Sequence, residues 1–151
     1  MTATELVQVL SGFVGTIGFA ILFNIRGKRL LAAAAGGLLS WLLFVLINNV
    51  LHNEVVTYFI AAAAITAYAE VMARLLKSPT TTFIITSLIP MIPGSSLYYT
   101  MVSAFKAGQG DFVQKGAHTL QLAAALALGI VAVTTLTRLL QKVRGNRDGK
   151  V

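Results

Sequence analysis

Five stretches of this sequence are apolar over the length that a helix needs to cross a lipid bilayer. They run over residues 6–25, 30–51, 55–73, 81–105 and 117–140. A hydrocarbon core about 30 Å thick requires about 20 apolar residues per helix, whereas the core helices of soluble proteins usually carry shorter runs. Lipid offers backbone amides no partners, and the period-two alternation of a membrane barrel is absent. We therefore predict an all-α integral membrane bundle of about five transmembrane helices over residues 1–143.

Composition and charge fit the same class of protein. Of the 151 residues, 56% are hydrophobic and 11% are charged, whereas soluble domains carry about 25% charged residues. The net charge of +7 is concentrated beside the apolar segments, where basic residues set topology and contact lipid headgroups. No basic stretch is interleaved with aromatic residues, so we expect no nucleic-acid binding. The absence of cysteine excludes thiolate metal sites, and we expect neither a metal site nor a cofactor.

The distribution of Lys and Arg predicts how the chain is oriented. With five crossings, ten of the twelve basic residues share one membrane face, which the positive-inside rule assigns to the cytoplasm. They are Arg26, Lys28, Arg29, Arg74, Lys77, Arg138, Lys142, Arg144, Arg147 and Lys150. We therefore predict a multi-pass protein of the cell membrane with its N-terminus outside. Residues 144–151 should form a basic cytoplasmic tail without packed structure.

The fourth apolar segment is predicted to be a broken helix. Pro90 and Pro93 lack amide hydrogens and clash with the preceding turn, at a cost of about 3 kcal/mol or more for each interior proline. We expect the carbonyl groups of Thr86 and Ile89 to lose their helical partners. Gly94 then permits backbone angles that other residues resist.

A helix that resumes after this break would begin near the middle of the bilayer. Ser95 or Ser96 is expected as its N-cap, which would leave the amides of residues 96–98 free at the positive end of the helix dipole. Secondary transporters use such broken helices to bind carboxylates, and irregular backbone at this depth is tolerated only against protein or a water-filled cavity. We predict a substrate site formed by Pro90, Pro93, Gly94, Ser95, Ser96 and Tyr98. The alternative is a proline kink without a transport role.

Three sequence features together resemble one known family. Residues 18–24 (GFAILFN) close the first span, Pro79 precedes the fourth, and residues 89–95 (IPMIPGS) are followed by Tyr98. In these features the chain is similar to the threonine/serine exporters, and in particular to the short chain of their two-chain members. The resemblance implies a subunit of a secondary exporter that works with a longer membrane chain. Members export threonine and serine, and some two-chain members export dicarboxylates, so the implied substrate bears a carboxylate.

Three further features outside the break have possible roles. Glu70 precedes Arg74 by four residues, which predicts an ion pair, although an intramembrane carboxylate is also a candidate for coupling export to an ion gradient. Asn24 either caps the first helix or binds substrate in a cavity. A turn over residues 108–110 (GQG) predicts a flexible external connection, either a solvated loop or a gate for access.

The predicted function is export of a small carboxylate-bearing metabolite by a two-subunit secondary transporter. The alternative is a membrane scaffold or assembly protein with merely kinked helices. A homo-oligomer is a further possibility that the odd number of spans leaves open. We do not expect an enzyme, because no Ser-His-Asp set, metal cluster or pair of carboxylates can be placed at one depth.

Overall fold

The computed structural model describes residues 3–105 and 109–148, with side chains over 3–105 and 111–143. Within these ranges the chain forms helices and turns and no strand, as the sequence predicts. The helices are α1 (Ala3–Leu22), α2 (Lys28–Leu51), α3 (Glu54–Leu75), α4 (Thr80–Leu88), α5 (Gly94–Phe105) and α6 (Gln109–Asp148), and a 3₁₀ turn, Ile89–Met91, follows α4. The fold is an all-α helical bundle.

Four of these helices are long and apolar enough to cross a bilayer, namely α1, α2, α3 and α6. The helices α4 and α5 have 9 and 12 residues, which corresponds to about 14 Å and about 18 Å of helix. Neither spans about 30 Å of hydrocarbon alone, but the two together with the turn between them cover that distance. The broken fourth segment that the sequence predicts is therefore present in the structure.

The helices pack in a fixed order of neighbours. Helix α2 packs against α1, α3 and α4, and α3 packs against α4 and α6. Helix α5 packs chiefly on α6. A buried hydrogen bond of 2.9 Å between the hydroxyl groups of Thr100 and Thr119 joins these last two helices. The α5–α6 hairpin therefore attaches to the rest of the bundle through α6.

Contacts between helices define two ends of the bundle. At one end, which we call the Glu54 end, Asn49 donates a hydrogen bond to Glu5 at 3.3 Å and His118 lies 3.5 Å from Glu54. At the opposite end α1 and α3 finish and α2 and α4 begin. The basic residues there whose side chains are described are Arg26, Lys28, Arg29, Arg74, Lys77, Arg138 and Lys142. We call this the basic end.

Two helices finish at the basic end in the same kind of turn. After α1, Asn24 adopts a left-handed φ of 56°, and the amides of Asn24 and Ile25 donate to the carbonyl groups of Ile21 and Ala20. After α3, Lys77 has a φ of 47°, and residues 77 and 78 donate to residues 74 and 73 in the same pattern. This pairing is the Schellman motif, which satisfies the last carbonyl groups of a helix. Asn24 thus ends the first helix through its backbone.

Helix α6 is longer than the sequence predicts in both directions. It begins at Gln109 rather than near residue 117, so two of the three residues expected to form a flexible turn are helical. Gly108, the third, lies outside the described residues. The helix also continues to Asp148, although we expected irregular structure from residue 144. Lys, Arg and Gln are good helix formers, so polar residues that leave the membrane need not end the helix.

Glycines permit close approach of helices at some positions and not at others. A Cβ atom on Gly129 of α6 would lie 2.7 Å from the carbonyl oxygen of Phe59, so α3 and α6 are in near contact there. In α1, a Cβ atom on Gly12 would lie 3.3 Å from Cβ of Pro90, whereas Gly15 and Gly18 have open space around them.

Candidate functional site

The break between α4 and α5 is short and partly hydrogen-bonded. Helix α4 ends at Leu88, the 3₁₀ turn follows, and Ile92 is extended with φ −61° and ψ 124°. The amide of Ile92 donates to the carbonyl oxygen of Ile89 at 3.2 Å. Ile89 thus loses the i+4 donor of a regular helix, because residue 93 is proline, but the chain tightens into a 3₁₀ turn that supplies a nearer donor.

Helix α5 resumes earlier than the sequence predicts. The amide of Leu97 donates to the carbonyl oxygen of Pro93 at 3.0 Å, so Pro93 precedes the first helical residue and neither Ser95 nor Ser96 is the N-cap. The fixed φ of proline suits the start of a helix, where its missing amide hydrogen costs nothing. The amide of Gly94 donates to Ile92 at 2.7 Å.

The first turn of α5 presents unpaired backbone donors. The first amides of an α-helix have no acceptor within that helix, and in α5 these include the amides of Ser95 and Ser96. The free donors therefore lie at residues 95 and 96 rather than at residues 96–98. They occupy the positive end of the helix dipole, where an anion is favoured.

The inner side of the break is anchored in the core. Leu88 and Met91 are buried with Ile65 of α3 and Leu122 of α6. Pro90 faces Gly12 of α1 and lies near the middle of the bundle. These contacts hold the interruption at one depth, between the two short helices.

The outer side of the break faces away from the chain. Ile92 is 61% exposed and Tyr98 is 63% exposed, and Gly94 and Ser95 are exposed as well. A Cβ atom on Gly94 would meet nothing within 4 Å. The start of α5 is therefore open to whatever surrounds this chain in the membrane.

A polar cleft extends from the first turn of α5 toward the Glu54 end. It has a volume of about 690 Å³ and lies between α5 and α6. Its polar lining includes Ser96, Tyr99, Asp111, Gln114, Lys115, His118 and Gln121. Within it, Lys115 donates to Asp111 at 2.6 Å. We call it the α5–α6 cleft, and Ser96 belongs both to it and to the start of α5.

Hydrogen bonds fix the wall of this cleft. The hydroxyl of Thr100 lies 2.8 Å from the carbonyl oxygen of Ser96 and 2.9 Å from the hydroxyl of Thr119, which in turn donates to Lys115. His118, which lines the cleft, also lies 3.5 Å from Glu54 of α3, a residue that does not line it. The sequence alone gives no sign of this contact, because Glu54 and His118 come together only when α3 and α6 are in register.

Two predicted site residues lie away from the break. Pro90 lies beside Gly12 of α1, so the two residues are at the same depth. From Gly12, α1 continues for ten more residues to Leu22, a distance of about 15 Å along the helix. Asn24 follows at the basic end. Glu70 lies near the same end, where its carboxylate, 13% exposed, is 3.6 Å from Arg74. The structure thus brings Pro90, Pro93, Gly94, Ser95 and Ser96 together but leaves Asn24 and Glu70 apart.

Two buried polar atoms close to the break lack hydrogen-bond partners within the described residues. They are Oγ of Ser87 in the last turn of α4 and Nε1 of Trp41 in α2. Trp41 stacks on Phe44 with ring centroids 5.0 Å apart, which fits the packing role that its central position in the second span predicts. Ser87 lies against Gly36.

Comparison with known proteins gives one family match that covers most of the chain. Residues 8–136 match the family model described as "Threonine/Serine exporter, ThrE". The matched region includes α2, α3, α4, the break and α5 in full. No curated protein and no solved structure matches the chain.

Proposed function

The chain belongs to the threonine/serine exporter family, and from this we propose that it is one subunit of a secondary transporter that exports a small carboxylate-bearing metabolite. The family is one of transporters, and the four long apolar helices fit a multi-pass membrane protein. We propose an amino acid of the threonine/serine type or a dicarboxylate as the substrate, and the cytoplasmic membrane as the location.

The observation that supports this most directly is the open start of α5, which lies about halfway along the length of the bundle. The amides of Ser95 and Ser96 have no acceptor in their own helix, and unsatisfied backbone donors are costly in hydrocarbon. A substrate carboxylate in this position would accept both hydrogen bonds and would lie at the positive end of the α5 dipole. The hydroxyl groups of Ser95, Ser96 and Tyr98 supply further donors nearby.

The exposure of this site supports a partner chain. Irregular backbone is tolerated at membrane depth only against protein or water, yet Ile92, Gly94 and Ser95 face away from this chain. We propose that a longer subunit of the same family covers this side and leaves a wet pocket over α5. A second copy of this chain is the alternative occupant.

The proposed orientation follows from the basic end. Its Lys and Arg residues would lie in the cytoplasm according to the positive-inside rule, with the N-terminus outside. The α5–α6 cleft would then open toward the outside and would lead from Ser96 to the external face. Asn24 would lie on the cytoplasmic side, outside the proposed carboxylate site.

We also propose that Glu70 couples export to an ion gradient. Its carboxylate is largely shielded and lies beside Arg74, and ionisable groups in membrane segments are often functional. The i,i+4 ion pair with Arg74 is by itself a sufficient structural role. The two roles predict different transport behaviour when Glu70 or Arg74 is replaced.

Export from cells tests the proposed function. Cells that lack this chain and its presumed partner would be fed threonine-containing dipeptides or loaded with a dicarboxylate, and the intracellular metabolite would be followed. We expect the metabolite to accumulate in these cells. The wild-type pair should prevent this accumulation, whereas a pair that carries Pro93→Ala with Gly94→Leu should not. The space around Gly94 is open, so this double variant should fold.

Ala127→Leu is the matched control, because Ala127 is an exposed residue of α6. It should insert, bind the partner and export as the wild type does. Wild-type export by the double variant would contradict the proposed site. If no carboxylate accumulates in cells lacking both chains, the result favours a scaffold without a transport role.

A further inference from the structure

A second cleft lies at the basic end, between the loop that joins α1 to α2 and the loop that joins α3 to α4. Its volume is about 320 Å³. Its polar and charged lining consists of Asn24, Arg26, Arg29, Ser78 and Thr82. We call it the basic cleft. It lies at the far end of α4 from the break and shares no residue with the α5–α6 cleft.

The positive charge of this cleft is not neutralised within the described part of the chain. No ion pair joins Arg26 or Arg29 to a carboxylate there. Glu70 is the acidic residue at this end with a described side chain, and it pairs with Arg74. Arginine binds phosphate oxygens with two parallel hydrogen bonds, so two such side chains at one cleft favour an anion of that kind.

The backbone around the basic cleft adds donors to the two arginines. Helices α2 and α4 both begin at its edge, and neither has a side-chain cap: the preceding residues are Gly27 and Pro79. Thr82 contributes a hydroxyl donor, whereas the hydroxyl of Ser78 already donates to the carbonyl oxygen of Leu76 at 3.1 Å. The Schellman turns at Asn24 and Lys77 hold both loops in defined conformations, so the donors do not depend on disordered segments.

An apolar groove continues from the basic cleft along the bundle. It has a volume of about 210 Å³ and is lined by Phe23, Ile25, Thr81, Thr82 and Ile85. Three of these residues, Phe23, Ile25 and Thr82, also line the basic cleft. Ile85 is 55% exposed and lies one turn further along α4, in the direction of the membrane interior.

We propose that the basic cleft and this groove together bind one anionic phospholipid. The phosphate lies between Arg26 and Arg29 and accepts a hydrogen bond from the hydroxyl group of Thr82. The first part of an acyl chain lies in the groove beside Ile85. A free phosphate ion matches the cleft alone, whereas a polar cleft that continues into an apolar groove at a membrane surface matches a lipid.

Lipid binding to the purified, full-length chain tests this proposal. The protein in a neutral detergent would be titrated with phosphatidylglycerol or phosphatidylcholine, and bound lipid would be counted by native mass spectrometry. Arg26→Gln with Arg29→Gln should weaken phosphatidylglycerol binding about 30-fold, because each basic residue contributes about 1 kcal/mol to the attraction of an anionic lipid. Phosphatidylcholine should bind weakly to every variant.

The matched control removes the same charge from the same end of the bundle. Arg138→Gln with Lys142→Gln changes two basic residues of α6 that line neither cleft nor groove, and it should weaken binding by less than about threefold because distant charges are screened. Equal losses in the two double variants would overturn the proposal. Such a result would indicate attraction to the basic end as a whole.

A variant that keeps the charge tests the groove. Ile85→Asn should weaken the binding of phosphatidylglycerol. The affinity for inorganic phosphate, measured by its competition with the lipid, should be unchanged. If the arginine variant fails to fold, Ile85→Asn still decides the question. Unchanged lipid affinity of Ile85→Asn, together with complete displacement of lipid by inorganic phosphate, would mean that the cleft takes a free anion, and the lipid site would be wrong.

Discussion

Ser87 of α4 lies directly against Gly36 of α2. A Cβ atom added to Gly36 would overlap Oγ of Ser87 and would lie 2.8 Å from its Cβ atom. This contact lies one residue before Leu88, where α4 ends. The approach of α2 to α4 therefore positions the last turn of α4, and with it the broken segment on which the proposed site depends.

Gly36→Ala should destabilise the protein by about 1 to 3 kcal/mol, because the added methyl group forces the two helices apart. Denaturant or thermal unfolding of the full-length protein in detergent measures this. Gly18→Ala is the control, since Gly18 has open space around it, and it should be neutral or stabilising. Ser87→Gly in the Gly36→Ala background should recover part of the loss. Equal stability of the two alanine variants would contradict the close contact.

The hydroxyl pair of Thr100 and Thr119 should contribute a measurable coupling between α5 and α6. In a double-mutant cycle with Thr100→Val and Thr119→Val, we expect a coupling energy of about 0.5 to 1 kcal/mol, which is typical of hydrogen bonds between membrane helices. The free energy of unfolding of the four proteins gives this value. A cycle of Thr100→Val with Thr134→Val, whose hydroxyl bonds within its own helix, should show none. A coupling near zero in the first cycle would place the two hydroxyl groups apart.

Glu70→Gln should separate coupling from substrate movement. In vesicles that contain both subunits, we expect gradient-driven transport to fall at least about tenfold, as expected when a proton-transfer group is removed, while substrate exchange without a gradient continues. Arg74→Gln is the control, because it removes the same ion pair and leaves the carboxylate. If both variants lose gradient-driven transport equally, Glu70 acts only as the partner of Arg74.

The sequence predicted those parts of the structure that depend on local chemistry. The apolar runs predicted the spans because lipid demands them, and Pro90, Pro93 and Gly94 predicted the break because each of them disfavours a continuous helix. The exact start of α5 was missed by two or three residues. Serine is a good N-cap in general, and only the hydrogen bond from Leu97 shows that Pro93 takes this position instead.

Features that depend on tertiary contacts were not predictable in the same way. The basic cleft requires two loops, separated by about 50 residues, to meet at one end of the bundle. The α5–α6 cleft requires the register in which Thr100 meets Thr119. The length of α6 was underestimated because hydropathy marks the limits of a membrane segment and not those of a helix.

Thiol labelling decides whether the start of α5 faces a wet pocket within the membrane, as we propose. The sequence contains no cysteine, so a single introduced thiol reports on one position. Met91 shares a buried cluster with Leu122 and Ala125, which places exposed Ala127 close to the same depth as the break. Ala127→Cys is therefore the matched control for Ser95→Cys.

In membranes that contain the partner chain, a water-soluble maleimide should label the Ser95→Cys variant at least about tenfold faster than the Ala127→Cys variant, because a thiol in hydrocarbon does not ionise. Substrate should slow the labelling of Ser95→Cys and leave the control unchanged. Labelling of Ser95→Cys that is as slow as that of Ala127→Cys would mean that the start of α5 faces lipid, and the proposed substrate site would be wrong.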